Sequence, residues 1–425
     1  MDILLRNITL IDGTGGAPQA NAVLAVREGK ILYAGSSSGW TGGAEAVALD
    51  LHGQFVLPGL IDAHVHLSGS GEADSHFRAQ DGAMALKILS NAQKNLAAGI
   101  TTVRDLGGWN ELEFVVRDWI RRGEFAGPRM CLAGRFISIT EAGADYYEGM
   151  YRVADGVNGI RRAVREQVKH GADLIKIGVT GAVLVESGVP GATHFNEDEI
   201  QALVQEAAKF GRRVAAHAHG ADGIWKALQA GVSSIEHGTF LYQHPQAIQF
   251  MAEHGIFLVP TLKVGWDIIL ANDGKVPAWI RAKNNILQEN AERSLKMAYD
   301  AGVPIAMGSD VGTPLNYHGE NGLEVYWMQH AGLSAMDAIV AATGNAARAL
   351  GWDAWMGTLE TGKVADFIVV DSNPLDDLRI LADKKHLQFV MQDGKVVACH
   401  VDHDLPRHLF ARNYLSMDSD AGVAP

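Results

Sequence analysis

Cysteine is scarce in this chain. Only Cys131 and Cys399 occur in 425 residues, so neither a disulfide framework nor a thiolate-held zinc site is available, and the redox compartment stays open. Positive charge is also in deficit. A formal net charge of -13 repels nucleic-acid phosphates, so no nucleic-acid partner is expected, and an anionic substrate must find a local positive site. Long apolar runs are missing too: none approaches the roughly 18 residues of a membrane span. The start, Met1-Asp-Ile-Leu-Leu-Arg-Asn, lacks the charged lead and apolar stretch of a secretory signal. The expectation is a soluble chain without a membrane partner, cytoplasmic as written, although removal of an earlier signal segment is compatible with it. What is plentiful is apolar side chain. A hydrophobic content of 47% supports a full core, and the length suits one large α/β barrel plus a smaller domain.

Both ends of the chain have the texture of short strands. Ile3-Leu-Leu-Arg-Asn-Ile-Thr-Leu, Ala22-Val-Leu-Ala-Val, Lys30-Ile-Leu-Tyr-Ala and Ala46-Val-Ala-Leu-Asp come first, with Asp12-Gly13 and Glu28-Gly29 where hairpin turns belong. Lys363 to Asp371 and Phe389 to Val397, the latter carrying Asp393-Gly394, repeat that texture near the other end. This predicts a small β-sandwich made from residues 1–56 and 355–405, with 406–425 as a C-terminal tail that caps the fold or meets another copy. A homo-oligomer is the expected assembly.

The middle, residues 57–354, alternates β-branched runs with helix-period stretches, the pattern of parallel βαβ units. The predicted strands are Val56 to His64, Thr101 to Asp105, Arg129 to Ala133, Leu174 to Ile177, Val214 to His217, Ser234 to His237, Ile256 to Val259 and Pro304 to Ser309. The predicted helices include Asp81 to Ala98, Asn158 to His170, Asn196 to Phe210 and Ile280 to Ala301, the third opened by an Asn196/Glu199 capping box. The fold class is therefore α/β, a (β/α)8 TIM-type barrel carrying a terminal β-sandwich.

Catalytic groups of such barrels sit at the C-terminal ends of strands. His64 and His66 close the first strand here, two residues apart and on one face, able to reach a common cation. Lys176 closes the fourth, His217 the fifth, His237 the sixth and Asp310 the eighth. Each has a bland reading alone. His217, His219 and His237 could be satisfied core or surface histidines, and Asp310 could cap the next helix. Lys176, inside Leu-Ile-Lys-Ile, is harder to dismiss, because burying an unpaired ammonium is costly. Their gathering at one rim favours one metal site.

Gly-Leu-Ile-Asp-Ala-His-Val-His, Leu-Ile-Lys-Ile, Ala-Ala-His-Ala-His-Gly, Ser-Ile-Glu-His-Gly and Gly-Ser-Asp resemble the signature set of the amidohydrolase superfamily. More narrowly, the chain resembles the imidazolonepropionase-like branch that includes prolidase-like dipeptidases, carboxypeptidases and ochratoxinases. The resemblance implies two divalent metal ions, commonly zinc, bridged by a carbamylated Lys176. His64 and His66 would hold the first ion, shared with Asp310; His217 and His237 would hold the second. A lysine ammonium has donors only, whereas a carbamate is carboxylate-like and can bridge two cations about 3.5 to 4 Å apart. Imidazole and carboxylate donors without thiolate suit zinc, with manganese or cobalt also compatible.

The implied activity is hydrolysis of an amide whose leaving group is an amino acid with a free carboxylate: N-acyl amino acids, dipeptides or an ochratoxin-like N-acyl phenylalanine. A metal-bridging hydroxide would attack, with Asp310 as base and then acid. His219 should face the rim as a carbonyl or carboxylate contact; Tyr151 and Arg152 lie in the long segment after strand three, where an arginine fork suits a carboxylate but a solvated arginine is the commoner outcome. One departure matters. Close dipeptidase relatives often carry Gly-Gly-His after strand three, where this chain reads Ile139-Thr-Glu-Ala-Gly-Ala-Asp145. The apolar, glycine-rich loop from Val179 to Gly191 could wall or cover the site, which favours a bulky hydrophobic substrate. The alternatives are a mononuclear cyclic-amide hydrolase or deaminase, whose relatives commonly lack the strand-four lysine, and a non-catalytic binding barrel.

Overall fold

The strand-rich ends meet in one sheet. The computed structural model describes residues 3–42, 47–72, 80–141, 143, 149–181, 183, 184, 186, 188–271, 274–400 and 405–416. From the N-terminal side come Ile3–Leu10, Gln19–Arg27, Lys30–Ser36, Val47–Asp50 and Phe55–Pro58. Phe367–Val370, Leu387–Gln392, Lys395–Cys399 and Phe410–Ser416 join them in a nine-stranded sheet. The two sets interlock where Phe55–Pro58 pairs antiparallel with Phe367–Val370 and parallel with Ile3–Leu10. Ile3, Leu5, Ile8, Leu24, Phe367 and Phe389 form its buried side.

Two of the three expected turns hold. Glu28 and Gly29, at φ 51° and 74°, and Asp393 and Gly394, at 49° and 71°, join antiparallel neighbours with both central residues left-handed, as two-residue hairpins with the native twist require. Asp12-Gly13 is different. It opens a longer loop in which the Asp12 carboxylate accepts from Thr14 N at 2.8 Å. Within the expected tail, Phe410–Ser416 adds a strand beside Lys395–Cys399, while residues 417–425 lie outside the described residues.

The middle contains two parallel sheets with helices between most successive strands; Arg129–Leu132 and Phe136–Ser138 follow one another without one. Leu60–Val65, Ile100–Asp105 and Arg129–Leu132 form one. Tyr151–Val153, Phe136–Ser138, Leu174–Gly178, Arg213–Ala218, Ser234–His237 and Phe257–Val259 form the other, in that order. The four predicted helices appear as Asp81–Ala97, Gly156–His170, Glu197–Ala208 and Ala278–Asp300. At the start of the third, Glu199 Oε2 accepts from Asn196 N at 2.9 Å.

Two expected strands differ. The run from Val56 to His64 is broken at Gly59 and divided between sheets, because Pro58 has no N–H and a Cβ on Gly59 would sit 2.3 Å from the Thr101 side chain. Pro304 to Ser309 makes only an isolated parallel bridge, Leu258 to Ile305. Its backbone nevertheless bonds on both sides: Ala306 N donates to Leu258 O at 3.0 Å, and Ala63 N to Met307 O at 2.8 Å. The segment thus lies between Phe257–Val259 and Leu60–Val65, and it delivers Asp310 beside His64.

Candidate metal centre

Strand parity explains why these side chains converge. On Leu174–Gly178, Leu174 packs with Ile61, Ala63 and Ala215 in one interior cluster, and Lys176 shares its face, whereas Ile175 and Ile177 belong to the layer against the helices. Ala215 and His217 repeat the pattern on Arg213–Ala218. His237 should follow Ile235 outward by the same rule. A left-handed backbone, φ 70°, turns it inward instead, to ring-centroid distances of 4.5 Å from His217 and 5.1 Å from His64. Asp310 (φ 58°) and Thr261 (φ 54°) are left-handed as well. Non-glycine residues held there cost about 1–3 kcal/mol each, and such strain concentrates at functional sites. Gly312 permits the close approach of this loop: at φ 103°, a Cβ would lie 2.1 Å from His66 O.

Two clusters could each hold a cation: His64, His66 and Asp310, and His217, His219 and His237, with the ligating atoms of each within 4.8 Å of one another. In the first, Asp310 Oδ1 lies 3.6 Å from His64 Nε2 and 3.3 Å from His66 Nε2. The far nitrogens are engaged: His64 Nδ1 donates to Glu236 Oε2 at 2.9 Å and His66 Nδ1 to Gly107 O at 3.2 Å. A carboxylate and a carbonyl only accept, so each Nδ1 carries the proton and each Nε2 presents a lone pair to Asp310. Three acceptors then face one another. A cation resolves this, and the donor set fits a divalent one. A proton on His66 would serve in part, since contact with Asp310 outweighs burial and lifts that ring above the usual imidazole range. For His64 burial wins, and it falls to about 4.

In the second cluster burial holds His217 and His237 well below the usual imidazole range and His219 at about 4, so all three rings are neutral at neutral pH. His237 Nδ1 meets Thr261 Oγ1 at 2.7 Å, and His219 Nδ1 meets Thr239 Oγ1 at 2.8 Å. His217 Nε2 and Lys176 Nζ are buried without a hydrogen-bond partner. An ammonium in that position is costly, and burial draws Lys176 down to about 8. Buried polar atoms left without a partner in this way fit a site built to hold a metal ion.

Several supporting residues were not singled out from sequence. Glu236, fully buried, accepts from Arg104 Nη2 at 2.8 Å as well as from His64, and Ser234 Oγ donates to it at 2.6 Å. Burial alone would raise its pKa, but Arg104, His64 and Lys176 together hold it at about 2. Arg104 also donates to Ala63 O at 2.5 Å, so one guanidinium braces the strand that carries His64. Asp62 accepts from His64 N, Ser309 N and Asn321 Nδ2 at 3.0, 3.1 and 2.7 Å, tying that strand to the segment preceding Asp310. Burial would raise Asp310 too, but His64, His66 and Lys176 keep it below the usual carboxylate range.

The cavity over the two clusters is chiefly apolar, lined by Phe136, Met150, Tyr151, Val264, Ile268 and Pro314. Val183 and Leu184, from the glycine-rich loop, add to this wall; Ala182, Val185 and Ser187 of that loop lie outside the described residues. So do Ala142 and residues 144–148 of the segment after strand three. Tyr151 and His219 line the cavity, whereas Arg152 is bound to Glu166 at 2.5 Å.

An amidohydrolase-family profile matches residues 55–397. The chain belongs to the amidohydrolase family. It is 31% identical over 420 residues to ochratoxinase from Aspergillus niger, covering 91% of this chain and 85% of that one. Among solved structures, it matches a Xaa-Pro dipeptidase with methionine bound in the active site at TM-score 0.84 and 33% identity, over 93% of this chain and 99% of the other. Imidazolonepropionase from Symbiobacterium thermophilum is 24% identical over 389 residues, 82% of this chain and 83% of the relative. This amidohydrolase therefore lies in the imidazolonepropionase-like branch and is a hydrolytic enzyme for amide-type bonds. Its neighbours imply a TIM-type barrel for the parallel sheets. Among the described residues no helix is long and apolar enough to cross a membrane.

Proposed function

We propose that this amidohydrolase is a binuclear metal-dependent enzyme that cleaves the amide bond to a C-terminal amino acid in N-acyl amino acids, dipeptides or ochratoxin-like N-acyl phenylalanines. In this reading residues 57–354 form a closed (β/α)8 barrel, with a β-sandwich from 1–56 and 355–405. The observation that carries it is the convergence of His64, His66, Asp310, His217 and His237 on one cavity with a buried Lys176 whose Nζ has no hydrogen-bond partner. His64, His66 and Asp310 would hold one ion and His217 and His237 the other, with Lys176 bridging as its carbamate. Two bound divalent ions, zinc by donor type, would supply Lewis-acid polarisation of the scissile carbonyl and an acidified water.

The chain's own groups do the rest. Asp310, ionised and beside the paired imidazoles, accepts the proton of the attacking water at a carboxylate oxygen and returns it to the leaving nitrogen. His219 Nε2 contacts the substrate carbonyl or carboxylate. Phe136, Met150, Val264 and Ile268 receive a bulky apolar group and exclude water around it. Likeness to an ochratoxinase and a Xaa-Pro dipeptidase supports this substrate class.

Metal analysis tests the centre: about two ions per chain are expected, lost together with activity on chelation. A screen of N-acyl amino acids and dipeptides, read by free amine release, tests the substrate. Turnover of lactams or aminated rings in place of these would point to the cyclic-amide or deaminase chemistry of the same branch.

A further inference from the structure

The residue that the proposed centre leaves without a metal role is His219, although the structure holds it in the manner of a ligand. Its Nδ1 meets Thr239 Oγ1 at 2.8 Å, just as His237 Nδ1 meets Thr261 Oγ1 at 2.7 Å. In both cases a threonine beyond the next strand fixes the ring and leaves Nε2 for the site. Its backbone is fixed too, His219 N donating to Thr180 Oγ1 at 2.9 Å. The ring lies 4.8 Å from His237, inclined by 21°, and 4.7 Å from His217, whose Nε2 has no hydrogen-bond partner. All three rings offer a ligating atom within 4.8 Å of the others.

The donor count shows where this matters. An unmodified lysine has three donors and no acceptor, so it cannot ligate. Before carbamylation the first cluster already has three ligands, His64, His66 and Asp310, while His217 and His237 alone give the second only two. Three protein ligands plus an open position is the usual catalytic zinc arrangement.

Resting on the binuclear reading above, we infer that His219 is a provisional ligand, completing a three-imidazole site with His217 and His237 while Lys176 carries no carbamate. Each half of the centre can then take up its ion independently. Carbamylation follows as attack of the neutral Lys176 Nζ on dissolved carbon dioxide: a nitrogen–carbon bond forms, one C=O π pair moves onto oxygen as the carboxylate charge, one N–H proton passes to water, and nothing is oxidised or reduced. The new carboxylate replaces His219 as third ligand and frees that ring to meet substrate.

The test counts metal in the full chain as wild type, Lys176→Ala, Lys176→Ala/His219→Ala and Lys176→Ala/His219→Gln. Each is loaded with Zn2+, dialysed and analysed by atomic emission, with circular dichroism to confirm folding. Two ions in wild type and in Lys176→Ala, falling to one in both double variants, are expected. A second-site dissociation constant that rises about tenfold or more on loss of His219 agrees with this. If Lys176→Ala already holds one ion, or the double variants hold as many as Lys176→Ala, the inference is overturned. Fewer than two ions in wild type would instead overturn the binuclear reading. Co2+ loading gives a second readout: the visible spectrum of Lys176→Ala must change on adding His219→Gln, and an unchanged spectrum also overturns the inference.

Discussion

The two halves of the centre are held in different ways. His64 and His66 are fixed by a carboxylate and a carbonyl, obligate acceptors that dictate which nitrogen carries the proton. His219 and His237 are fixed by threonine hydroxyls, which donate or accept equally well and leave the tautomer to be set by whatever binds on the other side. The first half also contains the one carboxylate and is wired through Glu236 into Arg104. It is a prearranged, charged site, while the second is neutral and adaptable. The proposed proton transfer would fall on the fixed side, and the proposed change of ligand on the other.

The sharpest way to break this contrast is Asp310→Asn. Turnover should fall about 10²–10⁴-fold in a steady-state amide-hydrolysis assay, with the second ion retained by metal analysis; full turnover with both ions bound would remove the assigned role. Glu236→Gln comes next. It leaves the Arg104 guanidinium buried without its anion, so chemical denaturation should show a loss of about 3 kcal/mol. Chelator competition should show first-site affinity weakened about 10–100-fold. Equal weakening at both sites would mean that the halves are not separately wired. Thr261→Val should lower second-site affinity alone, by about tenfold. Smallest is Thr239→Val, which loosens the His219 ring that meets substrate: turnover should fall about threefold, and metal retention should weaken only when it is combined with Lys176→Ala; unchanged turnover would remove His219 from the substrate contact.

The side chains that converge were legible because each sits at the end of an apolar run, and parity carries Lys176 and His217 to the interior. Their supports were not. The His64–Glu236 bond spans 172 positions, and Thr239 and Thr261 are ordinary threonines whose roles exist only once neighbouring strands are in register. Glu236 stands next to His237 in Ser-Ile-Glu-His-Gly, yet nothing in its neighbours announces an Arg104 from 132 residues earlier. His237 itself was legible by type and position, but its inward turn depends on a left-handed backbone that no spacing reports. The same limit explains the two misjudged strands. Apolar runs mark extended chain, but Gly59 shows that one run can serve two sheets, and the 304–309 segment bonds to both neighbours without becoming a regular strand.

That division at Gly59 has a consequence for how the protein is made. The strand leading into His64 is Phe55–Pro58, and its antiparallel neighbour is Phe367–Val370, from far along the chain. During synthesis the first histidine pair emerges early, but the strand that feeds it, with Ile3–Leu10 on one side, keeps its other edge bare until residues beyond 367 have left the ribosome. The centre is in this sense a late product of translation. If the proposed ions bind, a nascent chain would offer His64 and His66 on an approach held from one side only, and firm loading would wait for the other end of the polypeptide to arrive.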